Sequence, residues 1–198
     1  MHASNPPHRS APLLATCIAV MLLAGCTLST STGMKAYENG DHDAARSCWE
    51  PMAMEGHAEA QFLLGTLYEN GEGLSVDQAL AFKWYSKAAE QGYGHAQNNL
   101  GLMHYRGRHV PRDLRRAEDF FRMAAEQDVM KAQRNLGILY LAAKDVPDNL
   151  RLAEVWLGRA AEQGSAQARR LVDSIRMIRD REPGENRLAS GFSGGFAD

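Results

Sequence analysis

Three kinds of side chain in this 198-residue chain could do chemistry: thiols, imidazoles and a crowd of guanidinium groups. The thiols are Cys17, Cys26 and Cys48. Cys17 lies inside an uncharged apolar run from Ala11 to Gly25, and Cys26 follows that run directly, behind Ala24 and Gly25. Narrow side chains of this kind suit a protease that cuts beside a thiol. With Cys17 removed and Cys26 modified, Cys48 is left with no intramolecular partner, so no disulfide is expected even in an oxidising compartment. His104 and His109 straddle a turn and could approach a metal together, but no carboxylate or thiol stands beside them at a ligand spacing, and no metal centre is expected. Arg106, Arg108, Arg112, Arg115 and Arg116 crowd one short stretch around His109. Such a cluster either steers an acidic protein or an anionic polysaccharide, or is only a solvated surface. No Gly-rich phosphate loop, His-Glu-x-x-His or Ser-His-Asp set can be assembled, so neither catalytic residues nor a cofactor are expected.

The apolar run at the N-terminus decides what becomes of Cys26. Residues 1–10 are polar, with His8 and Arg9 ahead of the run, as in an export signal. Fifteen helical residues reach about 22 Å, short of the roughly 30 Å hydrocarbon core, which disfavours a permanent spanning helix. Leu23-Ala24-Gly25-Cys26 resembles the lipobox of bacterial lipoproteins. The resemblance implies that residues 1–25 are a signal peptide, that the Cys26 thiol is lipidated and that cleavage leaves Cys26 first. An ordinary cleaved secretory signal and an uncleaved anchor are the alternatives. Residues 26–32 then form the lipidated cysteine and a Ser/Thr-rich tether; the seven residues from Thr27 to Gly33 reach at most about 25 Å. Several acyl chains hold a protein to a membrane far more firmly than one. In a Gram-negative cell the same resemblance, with Thr27 rather than aspartate after the cysteine, implies the periplasmic face of the outer membrane. Removing residues 1–25 takes away one arginine and no acid, leaving 21 basic against 24 acidic side chains, a net charge of minus 3 with histidine neutral. That balance gives no reason to invoke nucleic acid.

The body that must position these groups is periodic. Ala60, Leu64, Gly65 and Tyr68 are followed 36 positions later by Ala96, Leu100, Gly101 and His104, and again by Ala132, Leu136, Gly137 and Tyr140. Ala81, Trp84, Ala88, Ala89, Glu90 and Gln91 recur in the same way as Ala117, Phe120, Ala124, Ala125, Glu126 and Gln127, then as Ala153, Trp156, Ala160, Ala161, Glu162 and Gln163. A fixed period of this length means stacked supersecondary units that bury their apolar faces against neighbours. Residues 58–70 show apolar side chains at helical spacing without proline, which predicts a helix. Gly71 and Gly73 break it, and Asp77, Asp113 and Asn149 are placed to cap a second helix over about 77–91 and its equivalents, with Pro111 and Pro147 two residues ahead. Gly56, Gly92 and Gly164 stop these second helices; Asp128 takes the glycine's place in the second copy and predicts a looser junction. Cys48 falls in the register of Trp84, Phe120 and Trp156, a buried helix position.

Ala, three residues, Leu-Gly, two residues, Tyr, then Gly, then Asp, then an Ala and two aromatics before Ala-Ala-Glu-Gln-Gly: this pattern resembles the Sel-one-like repeat (SLR), a relative of the tetratricopeptide repeat. The departures are His104 for tyrosine, Asp128 and Ala143 for glycine and Leu157 for an aromatic. The resemblance covers 57–92, 93–128 and 129–164 as three units, with 33–56 as a partial, tetratricopeptide-like unit ahead of them. Residues 165–180 read as a polar capping helix and 181–198 as a disordered tail. The expected fold is all-α, about nine helices; the resemblance implies a right-handed α-solenoid of antiparallel helix pairs that serves as an adaptor for assembling complexes, often in the bacterial cell envelope. Cysteine-rich relatives are associated with β-lactams, but the paired cysteines that define them are absent here, which leaves a cell-wall or β-lactam hydrolase as a minor alternative.

A solenoid's first helices line an open concave surface suited to extended partners. The repeated positions 60, 64, 65 and 68 share one side of the first helix, and positions 59, 62, 66 and 69 share the other. The second set varies: Glu59, Phe62, Thr66, Glu69; then His95, Asn98, Leu102, Tyr105; then Lys131, Arg134, Ile138, Leu141. Phe62, Leu102, Tyr105, Ile138 and Leu141 are apolar there, with Arg134 among them. They mark a partner-binding surface for other envelope proteins, or they pack between adjacent first helices. The alternative to an adaptor is a receptor for glycan or peptidoglycan fragments.

Overall fold

The computed structural model describes residues 29–142 and 148–181. Cys26, the whole apolar run, residues 143–147 and the tail from 182 lie outside the described residues. Those described form nine helices and no strand: α1 (Thr30–Glu38), α2 (His42–Met54), α3 (Ala58–Asn70), α4 (Gln78–Glu90), α5 (Gly94–Arg106), α6 (Leu114–Ala125), α7 (Met130–Ala142), α8 (Asn149–Glu162) and α9 (Ala166–Arg181). Each packs on its neighbours in sequence, giving a right-handed α-solenoid of antiparallel pairs. Among the described residues, no helix is long and apolar enough to cross a membrane.

Local chemistry sets the helix ends. Asp41, Asp77 and Asp113 accept hydrogen bonds from the backbone N–H of Ala44, Leu80 and Arg116 at 3.0, 2.9 and 3.0 Å, starting α2, α4 and α6. The third full unit departs from the predicted pattern. Its cap position is Asp148, which makes no side-chain cap bond, while Asn149 is the first helical residue and is buried. Gly71 and Gly107 close α3 and α5 in the left-handed conformation, at φ 75° and 69°. Asp128 adopts the same hand at φ 58°. The looser junction expected there does not form: Val129 N–H still donates to Ala124 O at 3.2 Å, as Tyr93 does to Ala88 at 3.0 Å. The Asp128 carboxylate also accepts a bond from Gln133 Nε2 at 3.1 Å, which ties the residue down.

The predicted tether is corrected too. Thr30, Ser31 and Thr32 belong to α1, capped by Ser29, whose hydroxyl accepts from Thr32 N–H at 3.1 Å. Gly33 is buried so close to Trp49 that a Cβ would overlap the indole, and Trp49 Nε1 donates to Thr30 O at 3.2 Å. Packing against Trp49 overrides what Ser/Thr composition suggests.

The apolar clusters sit at junctions between units. One joins α2 to α3 through Ala45, Trp49, Leu64 and Leu67, and the next joins α4 to α5 through Tyr85, Ala88, Leu100 and Met103. Phe121, Leu136 and Leu139 do the same for α6 and α7, and Leu157, Val172 and Ile175 for α8 and the closing helix α9. Within each hairpin the two helices approach through a glycine. A Cβ on Gly65, Gly101 or Gly137 would stand 2.8, 2.6 or 2.6 Å from Tyr85, Phe121 or Leu157, each of which is buried. A buried glutamine chain crosses each hairpin–hairpin boundary. Gln61, Gln97 and Gln133 donate to Ala53, Ala89 and Ala125 carbonyls at 3.0, 3.4 and 3.3 Å. Each accepts in turn from Gln91, Gln127 or Gln163 at 2.8 Å. The end of one second helix, the next first helix and the end of its own second helix are thereby locked in one geometry.

Candidate interaction surface

Because α5 and α7 meet directly across α6, the first helices lie on the inside of the curve. Eight of their twelve variable positions are half-buried, whereas Glu59, His95 and Lys131 are exposed and Asn98 is buried. The Phe62 ring stands 5.8, 5.3 and 5.8 Å from the rings of Tyr85, Tyr93 and His95, bridging the first and second full units. Leu102 and Tyr105 pack against the α6–α7 cluster, and Ile138 and Leu141 against the α8–α9 cluster. Most of this apolar area therefore serves stacking, and each of these side chains keeps only part of its surface exposed. Arg134 is half-buried on the same face of α7.

Between these residues runs a polar seam. The Tyr85 hydroxyl donates to Glu69 Oε2 at 2.8 Å and lies 3.2 Å from Thr66 Oγ1. Burial first, and the Glu69 charge second, push the Tyr85 phenol far above its ordinary range, so it stays a donor at any physiological pH. Farther along, Asn98 Nδ2 donates to Asn99 Oδ1 at 3.1 Å, and Asn135 Nδ2 donates to Asn98 Oδ1 at 2.9 Å, linking α5 to α7. Asn99 and Asn135 are 36 residues apart, and that recurrence was a signal available in the sequence.

A second junction position also recurs. Tyr140 Oη donates to Glu118 Oε1 at 2.9 Å, and burial, then this carboxylate, push its phenol up to about 12. One unit on, Glu154 binds Arg176 and Arg179 of the closing helix at 3.0 and 2.7 Å. One unit back, His104 occupies the place of the tyrosine. It is 4% exposed, stacked on Phe120 at 5.7 Å and edge-on to Phe82 at 6.3 Å. His109 lies 5.5 Å from Phe82 in the left-handed conformation that Gly73 takes in the first unit. Each imidazole is thus occupied by aromatic packing. Among the described residues no group of three or more potential metal ligands converges.

The five arginines all reach the edge where the α5–α6 loop turns. Arg108 pairs with Glu69 of the preceding unit at 3.7 Å, and Arg116 with Asp113 at 3.6 Å. Arg112 Nε donates to Tyr105 O at 3.2 Å and its guanidinium lies 5.9 Å from the Tyr105 ring. Arg106 and Arg115 are exposed at the two ends of the turn. The Arg116 N–H, donating to Asp113, is the main cause that holds this carboxyl below its usual range. Cys48 is buried at 7% exposure beside Trp49 and Ala45, in the packing role predicted for its register.

Comparison with known proteins agrees with this architecture. The family model described as Sel1 repeat matches residues 58–93, 94–129 and 131–165. The crystal structure of a Sel1 repeat protein from Oxalobacter formigenes superposes with a TM-score of 0.66 at 33% identity, over 73% of this chain and 59% of that one. A protective antigen of uropathogenic Escherichia coli strains, displaying an SLR fold, gives 0.63 at 30% identity, over 80% of this chain and 35% of that one. A stretch of 58 residues is 36% identical to an exopolysaccharide production negative regulator of Rhizobium leguminosarum bv. viciae, covering 29% of this chain and 22% of the regulator. The chain thus spans less than two thirds of the length of each of these proteins.

Proposed function

This chain belongs to the Sel1 repeat family, and we propose that it is a lipid-anchored adaptor of the bacterial cell envelope that gathers other proteins along its groove. Sel1 repeats point to protein–protein scaffolding in general, and that coarser statement is the premise. The observation that carries the finer reading is the inner face. Beside the half-buried Phe62, Leu102, Tyr105, Ile138 and Leu141, the half-buried Thr66, Glu69, Asn99 and Asn135 present polar groups to an extended chain between apolar contacts, while the buried Tyr85 and Asn98 hold them in place. Arg134 stands ready for a carboxylate on that chain. No reaction is assigned to these groups; the protein works by holding partners.

Anchoring follows from Cys26. Its acylation would keep the array beside a membrane, on the periplasmic face of the outer membrane in a Gram-negative cell. Radiolabelled fatty acid should enter the protein in cells and be lost on Cys26→Ser; persistent label would remove the anchor. Photocrosslinking side chains placed at positions 66, 102 and 134 of the groove should capture envelope proteins, while positions 87 and 123 on the outer helices should not. Capture only from the outer positions, or none at all, would remove the adaptor.

A second reading is favoured by one observation, the similarity to a negative regulator of exopolysaccharide production. It makes the protein a receptor for glycan or peptidoglycan fragments. Binding on a glycan array with no protein captured in cells would support it. A hydrolase stands behind both, and turnover of muropeptides or β-lactams by the purified protein is what it requires.

A further inference from the structure

We propose that the α5–α6 loop, with the first turn of α6, is a docking surface for a short acidic polypeptide segment of a partner protein. The inference rests on the adaptor reading above and names a second contact outside the groove. From 106 to 116 the chain carries five arginines against the single acid Asp113, a local charge of plus 4 with histidine neutral. The equivalent stretch of the first full unit, 70 to 80, carries Glu72 and Asp77 and no base, a charge of minus 2. Cations placed at the positive end of a helix raise the local potential further, and the Asp113 cap is the one acid at the start of α6 that offsets them.

Internal partners neutralise only part of this charge. Glu69 takes Arg108 and Asp113 takes Arg116, whereas among the described residues no carboxylate pairs with Arg106, Arg112 or Arg115. Arg106 and Arg115 are exposed, and Arg112 is held over Tyr105 by its bond to the Tyr105 carbonyl. That bond holds a planar, five-donor fork at the rim of the groove, the geometry that meets a carboxylate with two parallel hydrogen bonds. His109, in its left-handed conformation, turns the chain between the two halves of the cluster.

The arrangement favours a polypeptide over a polysaccharide. A regular anionic polymer repeats its charge along its length and is matched by cations that repeat along the array. Here the cluster occurs once, and Glu72 and Asp77 of the preceding unit would repel the polymer's continuation. A short segment with two or more carboxylates fits one loop and needs nothing from the next.

The test uses the full protein and a fluorescein-labelled deca-glutamate peptide, followed by anisotropy at about 0.05 and 0.5 M salt. The inference expects saturable binding that weakens sharply with salt, and a loss of about tenfold or more in Arg106→Gln/Arg115→Gln, two exposed changes whose unaltered melting curve certifies the fold. No binding, or binding equal in the double variant, overturns it. Equal or tighter binding of a polyuronate oligosaccharide overturns the choice of polypeptide. Groove crosslinks that persist in the double variant while peptide binding is absent from the wild-type protein would sink this inference alone; loss of groove capture in the wild-type protein sinks the adaptor reading itself.

Discussion

Gly101→Ala places a methyl group where the structure has none to spare. In an exposed helix interior the change would stabilise the protein by about 1 kcal/mol, because alanine loses less backbone freedom than glycine on folding. At Gly101 the added Cβ would lie 2.6 Å from two ring carbons of Phe121, which is 1% exposed and backed by the α6–α7 cluster. The ring has nowhere to retreat without separating α5 from α6, and overpacking of this kind costs about 1–3 kcal/mol. The two terms oppose each other, so a single variant would confuse them. Gly158 supplies the control: it is also inside a helix, α8, with nothing within 4 Å of its hypothetical Cβ. Gly158→Ala is therefore expected to stabilise by about 0.5–1 kcal/mol, and the difference between the two variants isolates the contact at about 1–3 kcal/mol. Urea unfolding followed by far-ultraviolet circular dichroism reads both. In a thermal melt the gap corresponds to about 2–4 °C per kcal/mol for a chain of this size. Equal stabilisation by the two substitutions would refute the claim that hairpins close through glycine–ring contact.

Two further outcomes are expected. Gln133→Met keeps the volume and removes the bonds to Ala125 O, Asp128 and Gln163; Ala125 O keeps its bond from Asp128 N–H, so the loss is the net worth of the bonds removed, about 0.5–1.5 kcal/mol each. Hydrogen exchange should quicken around 125–133 and stay unchanged in α2 and α3; unchanged stability would deny the glutamine chain a structural role. His104 has its pKa lowered, by burial first and then by Arg116, with Asp113 acting in the opposite sense. The neutral ring is the one the fold prefers, so its contribution is complete above the unfolded value of about 6.5 and is lost as pH falls through that value towards the folded one. The unfolding free energy read from urea curves should therefore fall between about pH 7.5 and pH 5, by at most about 1.4 kcal/mol per pH unit for this one proton, and His104→Phe should flatten that part of the profile. A profile identical in the variant would count against it.

The helices were legible because their signals are local. Asp77 and Asp113 cap where an aspartate precedes an apolar-periodic run, and Gly56, Gly92 and Gly164 close helices where glycine alone takes the required hand without cost. Carrying a residue 36 positions forward worked less well. It placed the third cap on Asn149, whereas α8 opens after Asp148 and the asparagine turns inward. Composition misled at Thr30–Thr32, where a Ser/Thr run reads as a linker until the Trp49 indole gives it something to fold against. The glutamine chain escaped notice for a different reason. Apolar periodicity finds what avoids water, and Gln61, Gln97 and Gln133 are buried for the opposite reason, to satisfy carbonyls at the ends of the preceding helices. Their recurrence beside Ala60, Ala96 and Ala132 was the available sign.

The groove resisted sequence reading because its residues serve two masters. Phe62 is variable in type and lies on the other side of its helix from the repeated residues, which describes a ligand contact and an inter-unit wedge equally well; only the rings of Tyr85, Tyr93 and His95 around it show that stacking takes most of its surface. Adjacent units fix how much of each such side chain is left over, and that remainder depends on an angle between helices that no single repeat encodes. The arginines are the converse case. Their charge is plain in the sequence, but whether it is spent depends on reach across units, and Glu69 proves close enough for Arg108 while Arg106 and Arg115 find no such partner among the described residues. In a repeat array the shared positions build the rod, so the selectivity has to come from whichever departures the junctions fail to absorb.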